Sequence, residues 1–143
     1  MTRDQLQGIA ERYIELWRRR DPAGIAQCHA ADGVAESPTY ATLRGRQAIE
    51  DASRAFFTSF PDATHEVDAI LVDPPRFAIF TTVNATHVNE FFGMPGTNRH
   101  IEFRNARLME VNEQGLIKHE RRIYDFTGLL VQVGILRAKP AKP

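Results

Sequence analysis

Asp125 stands at the far end of a strand-like stretch (residues 116–126), between Tyr124 and Phe126 and just before a very apolar segment. A carboxylate in apolar surroundings has its charged form disfavoured, and this turns a weak acid into a usable proton shuttle near neutral pH. Side chains alternate on a strand, so His119, Arg121, Ile123 and Asp125 share one face, and Lys118, Glu120, Arg122 and Tyr124 share the other. The spacing also admits two structural roles for Asp125: a cap for the segment after it, or an ion pair with Arg121. His87 extends the largely apolar row Phe77, Ile79, Thr81, Val83 and Ala85. It is a second candidate for chemistry, or an ordinary hydrogen-bonded histidine. On the run over residues 99–111, His100, Glu102 and Arg104 fall on one face and Phe103, Asn105 and Arg107 on the other. Each face mixes apolar with charged residues, so alternation alone does not choose the inner one.

Several classes of chemistry lack their signatures. Five histidines are present without the His-Glu-x-x-His spacing of a metal site, and no glycine-rich nucleotide loop or Gly-x-Ser-x-Gly elbow occurs. The single cysteine, Cys28, allows neither an internal disulfide nor a thiolate cluster. Its neighbour His29 would point about 100° away on a helix, so Cys28 reads as a small core filler. With 18 basic and 18 acidic residues the formal net charge is zero, which gives no field to gather nucleic acid or anionic lipid. No apolar run approaches the roughly 18 residues of a membrane span, and no leader pattern opens the chain, so a cytoplasmic protein is expected. What remains is a pocket working by acid–base chemistry without cofactor or metal, or a pocket that only binds.

The elements that must position these residues follow from periodicity. At 143 residues, 43% hydrophobic and 25% charged, the chain is long enough for one domain with a real core. Leu6, Ile9, Ala10, Tyr13, Leu16 and Trp17 recur at helical spacing over residues 3–19. Asp21-Pro22 opens a short second helix ending near His29, which the Ala31-Asp32-Gly33 sequence breaks. A short strand over residues 34–38 precedes a third helix after Gly45, with Ile49, Ala52, Phe56, Phe57 and Phe60 on one stripe. The period then changes to two, predicting strands over residues 64–72, 76–92, 99–111 and 116–126. Residues 127–135 fit a final strand or a short helix, and residues 138–143 a disordered tail. Helices first and long antiparallel strands afterwards is an α+β pattern, in which a strongly curved sheet can wrap the helices as a cone with a blind pocket.

Several stretches, taken together, resemble the SnoaL-like polyketide cyclases of the nuclear-transport-factor-2-like superfamily. They are Trp17, Ala31-Asp32-Gly33-Val34 with Ser37-Pro38, Gly45-Arg46-Gln47-Ala48-Ile49, and Phe60-Pro61-Asp62. Further on come Thr86-His87-Val88-Asn89-Glu90-Phe91-Phe92-Gly93-Met94-Pro95 and the run from Asp125 to Gly134. Each is weak alone; their order and spacing are what point to the family, and the fold itself hosts many functions.

The resemblance implies an NTF2-like cone over residues 1–137, a homodimer, and one pocket per subunit for a small apolar ligand. It implies an intramolecular aldol cyclisation or isomerisation of a carbonyl compound, with Asp125 as general acid/base and His87 as donor or positioning group. Such a reaction needs a base, a donor for the enolate oxygen and a dry, shaped cavity. Arg121, His100, Asn105, Trp17, Tyr13 and Tyr40 are the expected substrate-binding residues. Many relatives carry Glu-x-Trp with the tryptophan four residues before the aspartate, where this chain has Arg121. An Arg121–Asp125 salt bridge in the pocket would keep Asp125 ionised and weaken it as a base. Two other readings therefore stand beside the cyclase: a non-catalytic binding or accessory dimer, and an epoxide-hydrolase-like enzyme.

Overall fold

The computed structural model describes residues 1–137. The expected tail at residues 138–143 lies outside them. Helix α1 (Arg3–Arg18) opens on a reciprocal cap: the Thr2 hydroxyl accepts from the Gln5 N–H, and the Gln5 side chain accepts from the Thr2 N–H at 2.8 Å. Its stripe Leu6, Ile9, Ala10, Tyr13, Ile14 and Trp17 is buried, as the spacing predicts. Helix α2 (Pro22–Gln27) starts with the Asp21 carboxylate accepting from the Gly24 N–H and with proline in its first turn. Helix α3 (Arg46–Ser59) buries Ile49, Ala52 and Phe57.

The strands are β1 (His29–Ser37), β2 (Ala41–Arg44), β3 (Thr64–Asp73), β4 (Arg76–Thr86), β5 (His100–Val111) and β6 (Ile117–Tyr124). They form one sheet in the order β2-β1-β6-β5-β4-β3, antiparallel except where β1 runs parallel to β6. Register shifts at Val67/Ala69, Glu110/Val111 and His29/Val34 interrupt the ladders, and such bulges bend and twist a strand. The inner face carries the core: Phe77, Ile79, Val83 and Ala85 from β4 and Ile101, Met109 and Val111 from β5 are buried against the helices. The result is the expected α+β cone, three N-terminal helices on a curved, mostly antiparallel sheet.

Three elements differ from expectation. The Ala31-Asp32-Gly33 sequence follows the end of α2 as expected, but it lies within β1, which starts at His29 rather than near residue 34, and the register with β6 shifts there. The short strand β2 was not anticipated and pairs only with β1. Strand β4 stops at Thr86, well before residue 92. There the Asp62 carboxylate binds the Thr86 N–H and hydroxyl, both at 2.7 Å, and the Ser59 carbonyl accepts from the N–H groups of Val88 and Asn89. These bonds lead the chain off the sheet towards the end of α3.

The apolar segment after Asp125 resolves as a helix, α4 (Phe126–Val133), closed by Gly134 in the left-handed region at φ 88°. Asp125 is its N-cap, its carboxylate accepting from the Gly128 N–H at 2.8 Å. Asp125→Ala is expected to cost about 1 kcal/mol in chemical denaturation, whereas Asp125→Asn, an equally good cap, costs only a few tenths.

Candidate functional site

Among the described residues, Glu120 is the one buried carboxylate, with 0% of its surface exposed. It lies on the inner face of β6, and four elements converge on it. The Tyr13 hydroxyl from α1 reaches both carboxylate oxygens at 2.9 Å. His29, at the start of β1, places Nε2 2.9 Å from Oε1, while its Nδ1 lies 3.0 Å from the Ile25 carbonyl. Arg107 from β5 donates from a terminal nitrogen to Oε2 at 3.0 Å, and Arg122 from β6 donates to both oxygens at 3.0 and 3.3 Å. Arg107 and Arg122 are cross-strand partners, so the β5–β6 register brings both guanidiniums to one carboxylate.

Burial pushes the Glu120 carboxyl up, but Arg122, His29 and Arg107 more than offset this and hold it well below the usual range. Glu120 is therefore a fixed anion. Burial, with the Glu120 charge beside it, raises the Tyr13 phenol, so it stays a neutral donor. Burial alone would lower Arg122; the Glu120 charge outweighs it and the guanidinium stays charged.

On the other side of the arginines lies a small, half-open pocket of about 30 Å³, room for a water molecule or one small polar group. Arg107, Arg122, Trp17, His65, Asn105 and Tyr124 form its polar wall; Phe56, Phe103, Ala52, Ser37 and Tyr40 complete it. The Arg107 guanidinium stacks 4.0 Å above the Trp17 ring, and that of Arg122 lies 5.2 Å from it. His65, on β3, packs beside Trp17 at 5.5 Å between ring centroids. Burial, together with Arg107, Arg18 and Arg20, pushes the His65 imidazole down to about 3, which leaves it neutral at ordinary pH. Outside the pocket, a groove of about 460 Å³ runs between α3 and the loop after β4, and Tyr40 lines both spaces.

Three of the residues expected from sequence meet in this pocket: Trp17, Tyr40 and Asn105. Tyr13 stands behind it, bonded to Glu120. The others lie elsewhere. Asp125 is exposed and faces an outer groove with Phe80, Arg104 and Ile123, so the apolar surroundings expected for a base are absent. Arg121 points outward and pairs with Glu36 at 3.1 Å, not with Asp125. His100 is exposed and bonds the Asn84 side chain at 2.9 Å. His87 is buried beyond the end of β4, between Phe60 and Phe91, with Nδ1 3.0 Å from the Thr97 hydroxyl. It is not brought near Asp125.

The alternation of β6 is as expected, but the face carrying Glu120 and Arg122 turns inward. The signal was in β5: Ile101, Phe103 and Met109 make its odd-numbered face the more apolar one, and that face takes Asn105 and Arg107 inside with it. Pairing β6 against it then buries Arg122. Among the described residues, no group of three or more His, Cys, Asp or Glu is arranged to hold a metal ion, and no helix is long and apolar enough to cross a membrane.

The chain matches the family described as SnoaL-like polyketide cyclase over residues 7–133. No curated protein matches it in sequence. Among solved structures, it is similar to AclR of Streptomyces galilaeus (23% identity, TM-score 0.84, covering 97% of this chain and 87% of AclR). IdmH of Streptomyces antibioticus is similar as well (24% identity, TM-score 0.76, 91% and 99% covered). So is a Catenulispora acidiphila protein with a ketosteroid isomerase-like fold, solved with trimethylamine (16% identity, TM-score 0.72, 88% and 92% covered). At these identities the likeness shows the fold.

A buried neutral histidine ties stability to pH. Between about 3 and 6.5 the unfolded chain binds a proton at His65 that the folded chain does not. Its contribution is therefore fully present above pH 6.5 and is lost as pH falls towards 3. Denaturation midpoints measured across this window should fall with acidification, and His65→Asn should flatten the profile.

Proposed function

The chain belongs to the SnoaL-like polyketide cyclase family, and from that premise we propose that its pocket performs cofactor-independent enolate chemistry on a small carbonyl compound. The outcome would be intramolecular aldol closure or isomerisation. The observation that carries this reading is the pairing, in one small pocket, of two guanidiniums with a neutral imidazole. Such chemistry needs a group to take a proton from carbon and a fixed positive field where the oxygen becomes negative. Arg107 and Arg122 supply the field; held by Glu120, they need no reorganisation during the reaction. His65 is the neutral acceptor. At about 3 it is a weak base, so the arginines' stabilisation of the enolate is essential to the step rather than an addition to it. Tyr124 and Asn105 position the ligand. In this reading His65 takes the role that the sequence suggested for Asp125, and the apolar rings of Phe56 and Phe103 hold the carbon skeleton.

A second reading, a binding protein without turnover, is favoured by one observation: the only buried carboxylate among the described residues is fully engaged by Tyr13, His29, Arg107 and Arg122. Solvent-deuterium exchange at the carbon next to the carbonyl, followed by NMR on a panel of aryl ketones and β-diketones, separates the two. The enzyme reading expects accelerated exchange, a loss of about 10²-fold or more in His65→Asn, and little change in Asp125→Asn. No acceleration on any member favours the binder; loss in Asp125→Asn restores that residue as the base.

We also propose that two copies of the chain associate through the outer face of the sheet. Phe80, Ala106 and Ile123 stand in register there, next to Leu108 and Leu71, and the four large side chains are between 39% and 60% exposed. Light scattering after size exclusion should give a dimer, and Phe80→Asp with Ile123→Asp a folded monomer.

A further inference from the structure

The pocket wall holds polar atoms with no partner in the folded chain, and the kind of atom narrows what they await. Arg107 Nε is buried and has no hydrogen-bond partner, whereas the Trp17 indole N–H lies toward the Tyr13 hydroxyl. A guanidinium Nε–H can only donate, so whatever completes it must bring an acceptor. His65 Nδ1 and the Asn105 side-chain oxygen are also buried and unpartnered on the same wall, and these can meet either kind of group through the choice of tautomer or amide orientation. A buried polar group left unpaired is costly. Three on one wall of one pocket, on side chains each 5% exposed or less, mark a built binding surface.

Charge points the same way. Arg107 and Arg122 face a single carboxylate, Glu120, among the described buried residues. The wall therefore carries surplus positive charge in a place that water hardly enters. Glu120 takes up one terminal nitrogen of Arg107, a pocket-lining residue, and leaves its Nε without an acceptor. Glu120 also fixes the direction of that free donor. A neutral ligand could satisfy the hydrogen bonds but would leave the charge unmatched; an anion satisfies both.

We propose that this pocket takes its ligand as an anion, a free carboxylate or an acidic enol, seated on Arg107 Nε, rather than as an ester or a neutral ketone. The assignment deepens the reading of the pocket given above, for it names the substrate class at that site. It requires binding only, not turnover.

The test is calorimetric titration of the full chain with benzoate and with methyl benzoate at pH 7.5, aromatic probes of one skeleton that differ in charge. The anion should bind at least tenfold more tightly than the ester. Arg107→Lys keeps the charge and removes the Nε donor, and should weaken benzoate about tenfold. The preference of the unaltered chain for benzoate over its ester is read without any variant, so the proposal stays testable if Arg107→Lys does not fold. Equal binding of the two probes, or binding of neither, overturns the assignment. Selective benzoate binding by a protein that shows no deuterium exchange upholds the anion site and refutes only the enolate chemistry.

Discussion

A carboxylate with no exposure to water is the constraint around which this fold is arranged. Moving such a group into the interior costs several kcal/mol even after the surroundings relax, and it is tolerated only when nearly every lone pair finds a donor. Glu120 meets that condition with donors from α1, β1, β5 and β6 at once. The bonds are individually ordinary in length. Together they fix how helix and sheet must meet, because sliding β6 by one residue along β5 would turn Glu120 and Arg122 to the outer face and leave Arg107 buried without its anion. Tyr13 extends the same restraint to α1, whose apolar stripe would otherwise accept small shifts along the sheet.

The consequence for function is a division of labour within one cluster. Glu120 is held ionised and saturated, so it is no proton shuttle; its part is to hold two cations at defined positions. Those cations then present their remaining edges to the pocket beside Trp17, His65 and Asn105. The preorganised electrostatics that catalysis or tight binding needs are assembled by folding and do not wait for the ligand.

Much of the architecture was legible because it rests on local periodicity. The helical stripe from Leu6 to Trp17, the cap at Asp21-Pro22 and the change to period two after residue 64 all follow from rules that a sequence obeys without tertiary help. The end of β4 was not legible, because it depends on Asp62 and Ser59 reaching across from the end of α3. Nor was β2, four residues that pair only with β1. The site was half legible. Trp17, Tyr40 and Asn105 are pocket residues, but a run such as Lys118-His119-Glu120-Arg121-Arg122 carries charge on both faces, and its own alternation gives no reason to bury either. The decision belongs to β5, one strand away, and to a set of partners up to 107 residues distant along the chain. Asp125 has the sequence context of a buried acid, yet a cap at the start of a helix satisfies the same context with its carboxylate in water.

The size of the pocket places the remaining constraint. About 30 Å³ is far less than an aromatic ligand occupies, whereas the adjoining groove of about 460 Å³ is large enough. Tyr40 is common to both. Its ring stacks on Phe92 at 6.0 Å, and Phe92 in turn packs against Phe126 of α4 at 5.7 Å. Phe92 is more than half exposed and has a positive φ of 49°, a conformation uncommon for a large side chain. The charged floor is over-determined, while the aromatic mouth rests on a few ring contacts and a strained residue. A ligand larger than a single polar group would have to displace aromatic side chains at the mouth, since the guanidiniums beneath cannot move without stranding Glu120. Rigid electrostatics below and yielding apolar packing above would let one cluster serve stability and the proposed binding together.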